Sequence, residues 1–466
     1  MEIQFVGAAR NVTGSKHIIT TAKGKRILLD CGLFQNKGSD NDTLNRHLGF
    51  DPTTIDYMIL SHAHIDHSGN IPTLVKQGYT GKIYCTPPTL DLCTIMLADS
   101  AHIHENDLRY LNKKREKKGM ELIEPLYDID DVLASLAQFE AVPYNKPFMI
   151  DDDIELTYID IGHILGAASI NLKIKEGNHT KRITYTGDIG RPNDKILKAP
   201  TPFPQADILI TESTYGNRLH EQSEAAEKRL CEIVHSTCVE RKGKLIIPAF
   251  SLGRTQEIVY ALNRLKNKGK LPPIKVFVDS PLSTNATNIM RKHPECFNAD
   301  IIKYMIKDPD PFGFNDLFYI QDVKDSIALN DSKEPCIIIS ASGMMEAGRI
   351  KHHLKNNLPD AANTVLIVGY CPPNTLGRRL IEGEKLVTIY GKEYPVNASI
   401  EKINSYSSHG DYKEMIEFLS CQEKSLLKKI FLVHGEYDVQ KDYKKYLTEA
   451  GFFHIEIPDE GETFKV

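Results

Sequence analysis

The chain has nine cysteines, an odd number, scattered without a single C-x-x-C pair. That excludes an even disulfide framework and a thiolate zinc knuckle, and leaves the cysteines as small core residues of a reducing compartment. Long hydrophobic runs are also missing. Nothing approaches the roughly 20 apolar residues that span a bilayer, and Met1-Glu2-Ile3-Gln4-Phe5 lacks the basic start and apolar stretch of a secretory leader. A soluble, cytoplasmic protein with no membrane partner is expected. Nor is there an excess of basic residues: 57 Lys and Arg stand against 62 Asp and Glu, for a net charge of −5. Phosphate contacts usually leave a basic footprint, so any binding of a polyanion must be local. Low-complexity segments and repeats of solenoid length are absent too, which excludes linker-rich and repeat architectures.

What is present is average for a globular enzyme, 41% apolar and 26% charged. At roughly 150 residues per domain, the length implies two to three units, and we expect two, one interrupting the other. The first 200 residues alternate short β-rich runs with turns, as in Arg26-Ile27-Leu28-Leu29 and Tyr57-Met58-Ile59-Leu60. Residues 92–138 read as helices broken at Gly119. Within them, His102-x-His104 points around the helix in two directions and suits a shared metal poorly. Lys113, Lys114, Arg115, Lys117 and Lys118 read as a solvated helix face. From about Thr214, strand, turn and helix follow in repeated order, which predicts βαβ units and a mostly parallel sheet.

The chemistry gathers in Ser61-His62-Ala63-His64-Ile65-Asp66-His67, directly after an apolar strand. Three histidines and an aspartate in six positions fit neither strand nor helix periodicity. In a tight loop they face two ways, as ligands of two ions. Imidazole and carboxylate without thiolate suits zinc, with manganese or iron left open. Further polar residues stand at the exits of predicted strands: His163 in Gly162-His163-Ile164, Asp188 in Thr186-Gly187-Asp188, and His434 in His434-Gly435-Glu436. A rigid sheet delivers residues distant in sequence to one place in this way.

This H-x-H-x-D-H loop, with Asp30 before it and His163 and Asp188 after it, resembles the metallo-β-lactamase superfamily. Glu212-Ser213-Thr214-Tyr215-Gly216, Ser408-His409-Gly410-Asp411 and His434-Gly435-Glu436 resemble the additional motifs of its β-CASP branch. So do Pro248 to Glu257, Asp279-Ser280-Pro281-Leu282 and Ser340-Ala341-Ser342-Gly343-Met344-Met345. The branch contains nucleases, among them ribonuclease J and the endonuclease that cuts pre-mRNA 3′ ends. The resemblance implies an α/β chain with a four-layer αββα metallo-β-lactamase fold in residues 1–214 and 393–466, and an inserted β-CASP α/β domain in 215–392. It implies two Zn2+ per chain, His62, His64 and His163 on one and Asp66, His67 and His434 on the other, with Asp188 bridging. Asp66 would also orient the attacking hydroxide, and Asp30 would hold a histidine tautomer from outside the ligand set. His409, oriented by Glu212, would be the acid that protonates the departing 3′ oxygen. The implied reaction is hydrolysis of single-stranded RNA that leaves 5′ phosphate and 3′ hydroxyl. Histidine at position 64 favours a hydrolytic over an oxygen-reducing metal pair, and His434 favours RNA over DNA. The end of the chain shortly after His434 favours endonuclease action. Arg254, Arg349, Arg378 and Arg379 are candidate phosphate contacts, and Ser342 and Gly343 candidate backbone donors. A small-molecule metallo-hydrolase and a catalytically silent RNA-processing scaffold are the alternatives. A homodimer stays open.

Overall fold

Short apolar strands that alternate with polar turns form two facing sheets in the computed structural model, which describes residues 1–35, 41–220, 224–369, 371, 374–403 and 408–466. The chain divides into two compact units. One holds Met1–Leu219 with His409–Val466, the other His220–Ser408. In chain order the strands of the first unit are β1 (Glu2–Gly7), β2 (Lys16–Thr20), β3 (Arg26–Leu29), β4 (Tyr57–Ile59), β5 (Lys82–Cys85), β6 (Phe139–Ala141), β7 (Phe148–Met149), β8 (Ile154–Asp160), β9 (Ala168–Glu176), β10 (His179–Tyr185) and β11 (Ile208–Glu212). The second unit carries β12 (Leu245–Pro248), β13 (Lys275–Asp279), β14 (Leu317–Ile320), β15 (Cys336–Ser340), β16 (Thr364–Ile367), β17 (Leu386–Ile389), β18 (Lys392–Pro395) and β19 (Ser399–Lys402). The chain then returns to the first unit with β20 (Lys429–Val433), β21 (Ile455–Glu456) and β22 (Thr463–Lys465).

Two seven-stranded sheets make the first unit, in the orders β22-β1-β2-β3-β4-β5-β6 and β21-β20-β11-β10-β9-β8-β7. Alternate residues of each face inward: Ile3, Phe5, Ile27, Leu29 and Ile59 from one sheet meet Leu156, Tyr158, Ile170, Leu172, Ile210, Phe431 and Val433 from the other in one buried cluster. Helices cover the outer faces. Pro87–Glu116 packs on Ile65–Ser68, Ile129–Leu136 and β6, while Tyr437–Glu449 packs on β20 and Tyr412–Leu419. This is the expected four-layer α/β arrangement. The last segment enters both sheets, β20 beside β11 and β22 beside β1, so the sandwich closes only after the chain has passed through the other unit.

The second unit is a six-stranded parallel sheet in the order β14-β13-β15-β12-β16-β19, with β17 and β18 as a separate hairpin. β12, β15 and β16 are buried at every residue, which is what a parallel strand covered on both faces requires. β19 pairs with β16 inside this sheet, so the second unit runs past residue 392, the end read from the sequence. A four-residue strand of mixed burial carries no local mark of which sheet it joins. Seven cysteines are buried. No described helix is long and apolar enough to cross a membrane.

Phe431 packs its ring 4.8 Å from Phe5 and 4.9 Å from Phe464, tying the last segment to the first strand. Phe431→Ala should destabilise the first unit by about 3–5 kcal/mol. Phe431→Leu should cost less, because most of the volume is kept. Urea unfolding measures both, and an unchanged midpoint for Phe431→Ala would contradict the role given to that ring.

Candidate metal centre

The chemistry-bearing residues follow the C-terminal ends of strands. β8, β10, β11 and β20 run in one direction in the second sheet, and the loops that leave them carry His163, Asp188, Glu212 itself and His434. β3 and β4 run parallel in the first sheet, and their exits carry Asp30 and the His62 to His67 loop. Backbone conformation aims several of these groups. Asp30 and His434 adopt φ of 58° and 49°, a left-handed conformation that costs a non-glycine residue roughly 1–2 kcal/mol. Gly32 permits a close approach that a side chain would block, since a Cβ there would lie 1.6 Å from the Asp66 carbonyl oxygen.

The side chains form two facing groups. His62, His64, His163 and Asp188 bring one donor atom each within 4.8 Å of one another, and Asp66, His67 and His434 do the same. Asp188 stands between them. Its Oδ2 lies 3.5 Å from His62 Nε2 and 3.4 Å from His163 Nε2, and its Oδ1 lies 3.3 Å from His67 Nε2 and 3.5 Å from His434 Nδ1.

Hydrogen bonds behind the imidazoles decide which nitrogen carries the proton. The Ser61 hydroxyl spends its one hydrogen on Asp30 Oδ2 at 2.7 Å, so its 3.0 Å contact with His62 Nδ1 requires that nitrogen to donate. The Thr214 hydroxyl likewise donates to the His434 carbonyl oxygen at 3.0 Å and must accept from His434 Nδ1 at 3.0 Å. Asp30 Oδ2 accepts from His67 Nδ1 at 2.7 Å. In their neutral forms His62, His67 and His434 therefore all present a bare Nε2 lone pair to the site. Burial would lower the His67 imidazole, but the carboxylates of Asp188 and Asp30 raise it well above its usual range, so a metal ion would have to displace its proton.

This donor set fits metal ions. His67 Nε2 and His434 Nε2 face each other at 3.2 Å, and His64 Nδ1 lies 3.2 Å from Nε2 of both His62 and His163. A tetrahedral zinc with Zn–N bonds of about 2.0–2.1 Å holds neighbouring nitrogens roughly 3.3–3.4 Å apart. Asp188 Oδ1 is buried with no hydrogen-bond partner among the described residues, and lone pairs packed this closely repel unless a cation lies among them. The electrostatics of the protein groups point the same way. Burial pushes the His62 imidazole well below its usual range and His64 to about 4, so both stay neutral ligands. Burial alone would raise Asp66, but His434, whose Nε2 lies 3.4 Å from Asp66 Oδ2, and the neighbouring His67 lower it, so it stays a carboxylate.

His409 stands beside this cluster, its ring centroid 4.5 Å from that of His163 and 5.9 Å from Tyr215 in a stacked contact. Its Nδ1 lies 3.2 Å from each Glu212 oxygen. Glu212 is fully buried and is fixed in turn by the N–H groups of Ile189 and Thr214. Burial would lower the His409 imidazole, but Glu212, followed by Asp188 and Asp66, raises it to about 9.

All nine residues named from the sequence for metal and catalysis, Asp66 counting in both roles, thus come together in the first unit, with Asp30 directly behind them. The named phosphate contacts belong to the second unit and are engaged there. Arg254 pairs with Glu257, Arg349 with buried Asp279, Arg378 with Glu382 and Arg379 with Glu384. The Ser342 N–H donates to the Ala347 carbonyl at 3.3 Å, which removes it as the backbone donor expected beside Gly343, because the turn after β15 consumes it internally. Ser61, Thr214 and Tyr185, whose hydroxyl donates to Asp30 at 2.9 Å, were missed. Ser61 and Thr214 lie inside the recognised motifs and Tyr185 directly precedes one, and that adjacency was the available signal.

Three family patterns match the chain in order: a metallo-beta-lactamase superfamily domain over residues 18–212, a Beta-Casp domain over 255–380, and a Zn-dependent metallo-hydrolase RNA specificity domain over 393–458. A ribonuclease of Thermus thermophilus is 31% identical over 94% of this chain and 93% of its own length. An RNase J-like protein of Methanocaldococcus jannaschii is 32% identical over 93% of this chain and 92% of its own. A transcription termination factor, FttA, of Methanosarcina mazei is 31% identical over 94% of this chain and 67% of its own. With relatives of this identity and coverage, and with all three domain patterns in sequence, the chain belongs to the β-CASP family of the metallo-β-lactamase superfamily.

Proposed function

We propose that this protein is a two-zinc ribonuclease that hydrolyses single-stranded RNA internally and leaves 5′ phosphate and 3′ hydroxyl ends. The observation that carries the reading is Asp188, whose two oxygens face two separate histidine groups, next to a histidine held by a buried glutamate. His62, His64 and His163 would hold one ion and Asp66, His67 and His434 the other, with Asp188 shared. Bound there, the ions would supply Lewis acidity, which activates water at neutral pH and withdraws charge from the phosphoryl group. RNA as the substrate is supported by the names of the relatives, a ribonuclease and an RNase J-like protein, and by the RNA specificity pattern over residues 393–458.

The protein's own groups divide the remaining work. The second oxygen of Asp66 orients the attacking water. His409 gives the leaving 3′ oxygen its proton, since that oxygen is a poor leaving group as an alkoxide. Glu212 fixes the His409 ring through Nδ1, which leaves Nε2 to face the substrate, and favours the charged form that can donate. The His409 side chain is 20% exposed where Glu212 is fully buried, so the acid meets the substrate and its partner does not.

Two experiments test these assignments. End-labelled single-stranded RNA incubated with zinc-loaded protein should give internal fragments while matched DNA stays intact; His409→Ala should keep both metals and lose on the order of 100-fold or more in rate. Absence of cleavage by fully loaded wild type would overturn the ribonuclease reading, and mononucleotides released from the 5′ end would replace internal cutting with exonuclease action. Separately, Thr214→Val removes the acceptor that fixes the His434 tautomer and should weaken zinc binding about 10–100-fold in competition with a chromogenic chelator, while Thr214→Ser retains it. Equal affinities for the valine and serine variants would mean that the hydroxyl plays no such part.

A further inference from the structure

The helix Pro87–Glu116 is 30 residues long, yet only its first half belongs to the core. Leu92, Cys93, Met96, Leu97, Ser100 and Ala101 are buried; from His102 to the end, no described side chain of the helix is. Helices in proteins owe most of their stability to an apolar face packed on something else, and this outer half has only a narrow, half-buried one, His104, Leu108, Asn112 and Arg115, with the His104 ring 5.3 Å from that of Tyr127. It is nevertheless braced. The Asn112 side chain donates to the Ile123 carbonyl at 2.8 Å and accepts its N–H at 3.0 Å, and Arg115 Nε donates to the Glu121 carbonyl at 2.7 Å. The segment after the helix thus folds back and holds the arm in place.

The arm is also the most strongly positive stretch of an acidic chain. Arg109, Lys113, Lys114, Arg115, Lys117 and Lys118 fall within ten residues that contain one acid, Glu116. Arg109 and Lys113 stand at i, i+4 spacing on the helix with Lys114 beside them, and Lys117 and Lys118 carry both rows into the turn that follows Glu116. All five are exposed. The helix dipole favours cations in a last turn, which accounts for one or two of them. It does not reach back to Arg109, two turns earlier.

The other end of the helix is anchored at the metal centre. Thr86, its cap, and Thr89 both donate to the carbonyl of Gly166, in the loop that carries His163, at 2.7 and 2.9 Å. The helix also packs on Ile65–Ser68, which carries Asp66 and His67. At 1.5 Å per residue, Arg109 and the end of the helix at Glu116 lie about 33 and 44 Å from its first residue along the axis. A strand stacked at about 3.4 Å per nucleotide needs on the order of ten nucleotides to cover that distance.

We propose that the outer half of this helix is a second contact surface for the RNA strand, binding its phosphates about ten nucleotides from the bond that is cut; this rests on RNA being the substrate. The surface reads charge and not sequence, because lysine and arginine on an exposed helix neutralise phosphates without reaching base edges in any fixed register. It gives the enzyme a preference for long strands, and its contribution disappears for oligonucleotides too short to reach the arm.

The test uses the full-length, zinc-loaded protein with Lys113, Lys114, Lys117 and Lys118 all changed to Glu. A second variant with all four changed to Arg keeps the charge. Binding of labelled RNAs of 6 and 30 nucleotides is followed by fluorescence anisotropy across a salt series, and cleavage of the same RNAs is measured in parallel. For the glutamate variant, affinity for the 30-mer should fall at least about tenfold, and the slope of log affinity against log salt should flatten by about 0.7 for each phosphate that is no longer neutralised. Binding and cleavage of the 6-mer should match wild type, and the arginine variant should match wild type throughout. Unchanged 30-mer affinity and slope would overturn the proposal, as would an equal loss on both lengths. If wild type binds the 30-mer with the expected salt slope but cleaves neither RNA, the catalytic reading fails while the binding surface stands.

Discussion

A single buried carboxylate organises the metal centre. Asp30 leaves β3 in a left-handed conformation, fully shielded from solvent, and accepts four hydrogen bonds: from the Ser61 N–H, the Ser61 hydroxyl, His67 Nδ1 and the Tyr185 hydroxyl, at 2.7 to 2.9 Å. Three of these donors converge on Oδ2 and one on Oδ1, four in all, the number a carboxylate accepts. They come from β10 in one sheet and from the end of β4 in the other, so the group that fixes the tautomers of His62 and His67 also ties the two sheets at the edge where the ligands gather. A buried charge is costly unless it is fully paired, and this one is. That couples site geometry to the sandwich itself: a shift of either sheet would leave Asp30 short of a partner.

The same logic runs outward to His434. Its proton is set by Thr214, two residues past Glu212 at the end of β11, and Glu212 in turn sets His409. β11 therefore serves both functions of the site, presenting a support for a ligand histidine on one residue and a support for the candidate acid on another. Because β11 lies between β10 and β20, the residues it supports are those delivered by its two neighbours and by the segment that follows the second unit. The long excursion between β11 and β20 places no demand on this geometry, since parallel pairing of Glu212 with Val433 fixes the register locally.

How much of this was legible in the sequence depended on whether a residue's chemistry or its surroundings decide its role. Histidines and aspartates at the exits of apolar strands are out of place in any packing pattern, so His62, His64, Asp66, His67, His163, Asp188 and His434 stood out one by one, and the structure brings them together. Ser61 and Thr214 did not stand out. A hydroxyl beside a strand is ordinary, and its function here follows only from where its single proton goes, which needs coordinates. The arginines present the opposite case, their charge plain in the sequence and their partners only partly so. Charge suggested phosphate, but Arg378 has Glu382 one turn away and Arg349 has Asp279 at 2.6 Å from a different strand; the first pairing was visible as i, i+4 spacing and the second was not. The basic run at Lys113 to Lys118 was read as a solvated face, a reading that spacing alone supports. Burial adds what spacing lacks, because it shows that the helix beneath those lysines has already left the core.

Charge is the remaining constraint. An enzyme with net charge −5 that takes a polyanion gains nothing from long-range attraction, since its mean field repels the substrate and salt screens what local attraction remains over about 8–10 Å. Positive charge must then act at short range. In the proposed reaction the metal ions meet that need at the scissile phosphate, where the protein's own ligands are carboxylates and neutral imidazoles and its cationic group is His409. Elsewhere along the strand it must come from side chains, and the four arginines read from the sequence as phosphate contacts are paired with acids. A braced basic arm set well away from the ions satisfies this requirement without placing cations beside the ligands, where they would depress the histidines and compete with metal for Asp66 and Asp188. With the two sources of positive charge separated along one helix in this way, an acidic chain would hold metal and RNA without either competing for the other's groups.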